Sequence, residues 1–477
     1  MAVVNNKIES IYPLTPLQEG MLFYNIVDSS LSAYVVQMSY DINKKLSGDL
    51  ITKALLLLSS KYLVLRTFFA HEKVSKPCQV VLKERELDYE YISLLDIRDD
   101  EFESAFKKIL SEDVKKGFDL QADSLLRLKY IEGPKKNKLI FTFHHIIIDG
   151  WCLSIVINKF FDFYKKLENG ESYDKLKLKI EKEKANCRDY NDYLIWLSKQ
   201  DKTKAINYWK NFLEGYDSDG KISAMKKPEQ TDVQVCEIFG KISTEKTDKL
   251  KRIAEASEST INTVAETAVG IMLQKYSRGN DVVFGKVVSG RNAHINGIEE
   301  MVGLFINTIP VRVTVEKETT VAELIKEQQK KGEESTNYDY CSLAEIQKST
   351  MQGSELIKVL YVFENYDSGA NIESNSEDFY KEDSTREQTN YGISISGFES
   401  EGRLGFKIMY DPNVYCDDEA ELIMDRLLKI CEEMAEKPET VISELETVTE
   451  KEKELILNDF NATETEYPRD KTVVELF

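Results

Sequence analysis

Apolar positions along this chain follow two rhythms: short runs bounded by polar turns, and longer stretches recurring every three or four residues. Together they predict alternating strands and helices. Near the start, Thr15-Pro16-Leu17-Gln18 offers an N-cap, a proline suited to the first helical position and a glutamine that closes a capping box, so a helix should begin at Pro16. Strand character follows over Tyr34–Ile42, then an amphipathic helix over Asp49–Tyr62 running into Leu65–Phe69, and a charged helix over Asp99–Lys116. Leu125–Ile131 and Lys138–Phe143, joined by a polar turn, read as a hairpin. Helical periodicity resumes at Trp151 and should end at Asn169-Gly170, with lysine-rich Glu171–Lys184 as a solvated connector.

The second half predicts helices over Arg188–Lys199, Thr203–Leu213, Thr244–Ala256, Thr260–Tyr276, Val321–Lys331 and Asp417–Glu436. Strands are expected over Val233–Ile242, Asp281–Ser289, Ile309–Val315 and Lys358–Phe363, with a hairpin from Tyr391–Phe398 and Arg403–Tyr410. Polar Asn365–Asn390 reads as an irregular crossing segment, and from Thr449 the chain reads as an exit linker. No repeat of solenoid length appears, so α/β or α+β domains are expected, with a boundary at the connector.

Composition narrows the classes. A length of 477 residues allows two or three domains, and a formal net charge of −20 argues against nucleic-acid binding, which needs a basic face. Seven scattered cysteines with no C-x-x-C pair imply neither a disulfide framework nor a zinc knuckle, and fit a reducing compartment. The N-terminus lacks a signal-peptide core and no run is long enough for a membrane span, so a cytoplasmic protein is expected.

Chemistry concentrates in one place. Two of the four histidines, His144 and His145, are adjacent at the end of the run Leu139–Phe143, and a short apolar bridge leads on to Asp149, Gly150 and Trp151. Adjacent strand residues point to opposite faces, so one histidine should work and the other support it. No third ligand with metal-like spacing accompanies them. A sharp turn into a helix N-terminus places a base beside backbone N–H donors, as acyl transfer requires, while a pair of satisfied core histidines is the bland reading. Arg66, embedded in apolar Leu63–Phe69, needs a carboxylate if buried, and Asp149 has the complementary need, so the two are expected to pair.

His144-His145-Ile146-Ile147-Ile148-Asp149-Gly150 resembles the HHxxxDG signature of the condensation domains of nonribosomal peptide synthetases, relatives of chloramphenicol acetyltransferase. Further resemblances follow in order: Leu14–Met21, Leu65-Arg66-Thr67-x-Phe69, Tyr190–Trp196, Val302–Thr308 with Arg312, and Val362–Tyr366. Phe460–Thr463, Tyr467-Pro468 and Thr472–Phe477 resemble the linker and first residues of an adenylation domain. The chain departs from the family at Lys61-Tyr62 and at Lys358, and His71 and His294 match no catalytic motif and should be surface residues.

The resemblance implies an α/β fold of the α+β sandwich type: two acetyltransferase-like lobes in a V-shaped pseudo-dimer with a central tunnel. It divides the chain into an N-terminal lobe, 1–178, a C-terminal lobe, 179–448, and a linker with the start of an adenylation domain, 449–477. The implied activity is amide-bond-forming acyl transfer between carrier-protein thioesters, with His145 at the reaction centre, His144 beside it, Asp149 architectural through Arg66, Gly150 giving access and Trp151 supporting. Ser289 and Asn307 are tunnel or substrate candidates. Phosphopantetheine arms of carrier proteins enter as substrates, with no cofactor bound by the domain itself. A monomeric domain is expected, with an upstream donor carrier (on a separate chain, given the start at Met1) and downstream adenylation and carrier domains. The subtype joining two L-residues is the nearest resemblance; a starter subtype taking a fatty acyl donor and an inactive recruitment domain are the alternatives.

Overall fold

The computed structural model describes residues 7–27, 34–184, 188–218, 220–224, 228, 230–231, 235–364, 380–386, 389, 391–464 and 470–477. Two sheets organise it. The first has five strands in the order Tyr380–Arg386, Val35–Ile42, Asn137–His144, Leu126–Glu132 and Asp88–Ser93. The predicted hairpin lies at its centre, antiparallel from Leu126↔Phe143 to Glu132↔Asn137.

Strict alternation gives this sheet two buried faces. Leu126, Leu128, Tyr130, Leu139, Phe141 and Phe143 face the main core with the helices Gly48–Lys61 and Gly150–Glu168, whereas Ile131 and Ile140 meet Phe102 and Phe106 of the helix Phe102–Lys116. The polar positions of the outer face are satisfied in place: Asp113 accepts from Arg127 Nε at 2.9 Å and from Gln37 Nε2 at 3.0 Å.

The second sheet has six strands in the order Asn307–Thr314, Asp281–Val288, Val359–Glu364, Ile393–Ser400, Arg403–Tyr410 and Cys236–Lys241. The nearly all-buried helix Ile261–Ser277 and the helix Asp417–Glu436 cover one of its faces. Val359–Glu364 runs parallel to both neighbours, which requires crossovers, and the chain supplies them through helices and through the crossing segment.

Two expectations are corrected, and two features are new. Glu171–Lys184 is no loose connector: Tyr173–Lys184 is a helix, because Tyr173, Leu176 and Ile180 make an apolar stripe that packs into the first core. Within Asn365–Asn390, residues 365–379, 387–388 and 390 lie outside the described residues, but Tyr380–Arg386 is a regular strand, paired antiparallel with Val35–Ile42 across the two halves. A third sheet, Ile8–Pro13, Cys78–Leu82 and Thr67–Ala70, was not anticipated, nor was the strand Asp88–Ser93. Asn365 and Tyr366 of the late strand motif and Tyr467-Pro468 of the tail also fall outside the described residues. Among the described residues, no helix is long and apolar enough to cross a membrane.

Candidate active site

The histidine strand ends where the two halves meet. Beyond His144 the backbone turns sharply, with the Ile147 N–H donating to the His144 carbonyl at 3.2 Å, and Asp149 then caps the helix Gly150–Glu168 by accepting from the Cys152 N–H at 3.2 Å. Two contacts fix the turn from outside. The His145 N–H donates to the Tyr34 carbonyl at 2.7 Å, and Gln18 Nε2 donates to the Ile146 carbonyl at 3.1 Å. Gln18 also closes the predicted capping box with Thr15, at 2.8 and 3.3 Å, so the first helix, Pro16–Val27, is pinned to the turn.

The two imidazoles have different surroundings. His144 lies inside the first core between the rings of Tyr34 and Phe118, and its Nδ1 accepts the Ile146 N–H at 3.1 Å. That bond fixes the tautomer with the proton on Nε2. Burial, reinforced by His145, holds its pKa down to about 3, so it is neutral at any ordinary pH. His145 instead lines a cavity of about 740 Å³ between the halves. Gly150, Trp151, Ser289 and Asn307 line the same cavity; His144, Asp149 and Arg66 do not.

Asp149 is fully buried, but its arginine is not Arg66. Its Oδ1 faces Arg291 Nη2 at 3.6 Å, and its Oδ2 accepts the Phe305 N–H at 2.9 Å, which binds the histidine turn to the segment 301–305. Arg291 stacks over Phe305, 4.0 Å from the ring centroid, and donates to Cys152 Sγ at 3.0 Å. Burial and the neighbouring carboxylate of Asp149 push the Cys152 thiol pKa well up, so it stays a thiol. Arg66 is buried as expected, but Glu9 on the unanticipated strand Ile8–Pro13 pairs with it. Its Nε donates to the Ser59 carbonyl at 2.9 Å and its Nη1 also to the carbonyls of Lys83, at 2.9 Å, and Leu82, while Nη2 is buried without a partner among the described residues. Both arginines have carboxylates, and the third sheet decided which.

Other predicted residues take clear positions. Trp151 is partly exposed and donates through Nε1 to the Glu299 carbonyl at 3.2 Å. Ser289 Oγ accepts the Arg291 N–H at 3.4 Å. Both amide protons of Asn307 are used, donating to the Asp339 and Cys341 carbonyls at 2.7 Å. Burial raises the Asp339 carboxyl to about 6, opposed by a hydrogen bond from Asn292. His294 is exposed and His71 only half-buried. Lys358 lines the cavity and pairs with Glu355. Arg291, Gln18 and Tyr34 were missed as contacts of the site. The sequence held one signal for Arg291, a glycine just before it: Gly290 has φ +64°, and a Cβ there would stand 1.8 Å from the Phe305 carbonyl oxygen.

The condensation-domain family profile matches residues 8–457. The chain belongs to that family. It is 34% identical over 478 residues to bacitracin synthase 3 of Bacillus licheniformis, covering 99% of this chain and 7% of that protein. It is 36% identical over 474 residues to tyrocidine synthase 3 of Brevibacillus parabrevis, covering 98% of this chain and 7% of that protein. The chain thus spans a small part of the length of these relatives. The first condensation domain of the calcium-dependent antibiotic synthetase shares the fold, with a TM-score of 0.69 at 16% identity over 92% of this chain and 100% of that one. The mixed α/β architecture is therefore that of the condensation domains, and the chain is an amide-bond-forming acyltransferase domain of the nonribosomal peptide synthetase type.

Proposed function

We propose that the domain joins two carrier-borne substrates in the cavity between its halves. An acceptor aminoacyl thioester presents its free amine, and a donor acyl or peptidyl thioester presents its carbonyl, each on the phosphopantetheine arm of a carrier protein. The amine nitrogen forms a bond to the donor carbonyl carbon, the C–S bond breaks, the donor carrier's thiol leaves, and the amine gives up a proton. A thioester is already activated, so aligning the two arms supplies much of the acceleration, on the order of 7–11 kcal/mol for well-oriented partners.

One observation carries the assignment of roles: of the four histidines, His145 alone lines the cavity. It either takes the amine proton or positions the amine by a hydrogen bond. Neutral His144 supports the turn through the Ile146 N–H, Asp149 holds the turn to the facing segment, and Gly150 and Trp151 border the space beside His145. Ser289 and Asn307 stand at the cavity wall as tunnel residues. The N-terminal lobe reaches past the expected boundary at 178 through the helix Tyr173–Lys184, whose Ile180 packs into the first core; the C-terminal lobe follows to 448, and 449–477 is the passage to an adenylation domain. Donor and acceptor are taken to be L-residues, with a donor carrier upstream, the adenylation and downstream carrier domains following, the domain monomeric and the setting cytoplasmic.

The test is amide formation between defined carrier-bound thioesters. His145→Ala, checked for retained folding by thermal denaturation, should lower the rate by roughly two to four powers of ten. Parental rates in that variant would sink the assignment.

A further inference from the structure

One wall of the cavity has a chemistry that the condensation step leaves unused. On the six-stranded sheet, Leu360 pairs with Ser394 and Ser394 with Met409; one step along, Val362 pairs with Ser396 and Ser396 with Lys407. Leu360, Val362, Ser394, Ser396 and Met409 line the cavity, while the alternate positions Tyr361, Ile395 and Ile408 point the other way, into the helix-backed core. The result is a wall of methyl and thioether groups with two hydroxyls in its middle, bordered by the ion pair of Lys407, the strand partner of Ser396, with cavity-lining Glu364 at 3.9 Å.

The two hydroxyls differ. Ser394 Oγ meets Thr389 Oγ1 at 2.9 Å. Ser396 is fully buried, and among the described residues no donor or acceptor reaches its Oγ. A buried hydroxyl without a partner is less favourable than the methyl group of alanine in the same place. Its presence on a cavity wall implies a ligand group that completes it.

We propose that Ser396 is a specificity-determining residue. With Leu360, Val362 and Met409 around it and the Lys407–Glu364 pair at its border, Ser396 forms the floor of a subsite for the side chain of a thioester-bound aminoacyl group. The side chain that fits carries a hydroxyl or carboxamide on a short aliphatic stem. This subsite rests on the condensation reading above. A site built to hydrogen-bond a polar group rejects the isostere lacking that group far more strongly than an apolar pocket rejects an added hydroxyl. Valine, the isostere of threonine, is therefore the discriminating competitor.

The experiment measures amide formation between defined carriers in two arms: threonine against valine on the donor with a fixed acceptor, then on the acceptor with a fixed donor. The arm showing a preference for threonine identifies which substrate occupies the subsite. In that arm Ser396→Ala should reduce the threonine-to-valine ratio of kcat/KM about 5- to 10-fold, the worth of one neutral hydrogen bond. Thermal denaturation should show the variant folded at least as stably as the parent. A ratio unchanged by the substitution in both arms, with amide still forming, overturns the subsite and leaves the condensation reading standing. Absence of amide from every pair with the parent protein overturns that reading and the subsite with it.

Discussion

Asp149 and Arg291 meet across the two halves, Oδ1 to Nη2 at 3.6 Å, while Arg66 is held by Glu9. Each arginine can therefore be tested against the same aspartate. In double-mutant cycles to alanine, Arg291 and Asp149 should show a coupling energy above about 0.5 kcal/mol, and Arg66 and Asp149 close to none. Asp149→Ala alone should cost about 3–5 kcal/mol in denaturant unfolding, because it removes a helix cap and leaves a buried guanidinium short of its carboxylate. An Arg66–Asp149 coupling as large as the Arg291–Asp149 one would contradict the pairing.

His144 gives the fold a dependence on pH with a definite sign. Its folded pKa lies near 3, below the ordinary imidazole value, so protons bind the unfolded chain more readily. The stability it lends is complete above about pH 6.5 and declines as pH falls toward 3, by about 1.4 kcal/mol per pH unit in the steep region. His144→Asn keeps an acceptor for the Ile146 N–H and removes the titration. Its stability should fall less steeply than the parent's between about pH 6.5 and 5, before carboxylates dominate. Parallel slopes in that window would show that His144 does not titrate as its burial requires.

Gly290 is the least replaceable residue near the site. Its left-handed φ of +64° and the Phe305 carbonyl oxygen, 1.8 Å from where a Cβ would stand, both bar a side chain. Gly290→Ala should cost roughly 2–5 kcal/mol, from the backbone conformation and the overlap together. Because Arg291 follows directly, activity should fall further than that of a variant matched for stability, such as one carrying a core truncation far from the cavity. Equal losses would reduce Gly290 to a purely structural role.

Gln18 links the first helix to the histidine turn through the Ile146 carbonyl and to Gln79 Nε2 through its Oε1, at 3.2 Å. Gln18→Ala should cost about 1–3 kcal/mol by opening the cap and leaving a buried carbonyl unmet. The kinetic signature expected is a lower kcat with little change in KM, since the turn that carries His145 loosens while the cavity walls stay. A change confined to KM would place Gln18 in substrate binding instead.

Much of this was legible in the sequence wherever the period of burial was clean. Leu126–Glu132 and Asn137–His144 are bounded by a polar turn and buried almost throughout, and the helix Gly150–Glu168 announces itself through an aspartate cap and an apolar stripe. Glu171–Lys184 was hidden because its stripe is only three residues wide among lysines, so helicity there comes from packing on a neighbouring helix rather than from local preference. The identity of Asp149's arginine could not be read at all. Arg66 stands among apolar residues and so looked like the buried partner, Arg291 follows Ser289-Gly290 and precedes Asn292 and so read as a polar loop, and only the fold brings Ile8–Pro13 to one and the histidine turn to the other. Ser396 was equally invisible, since a serine in an alternating strand reads as an exposed position until the sheet acquires a second covered face.

The strand Tyr380–Arg386 belongs by chain order to the half built on the six-stranded sheet, yet it is stitched to the edge of the other half's sheet over six paired positions. The halves are thus buttoned together by the backbone itself. Swinging them apart like a clamshell would mean unzipping that seam, so the seam ties the walls of the cavity to one another.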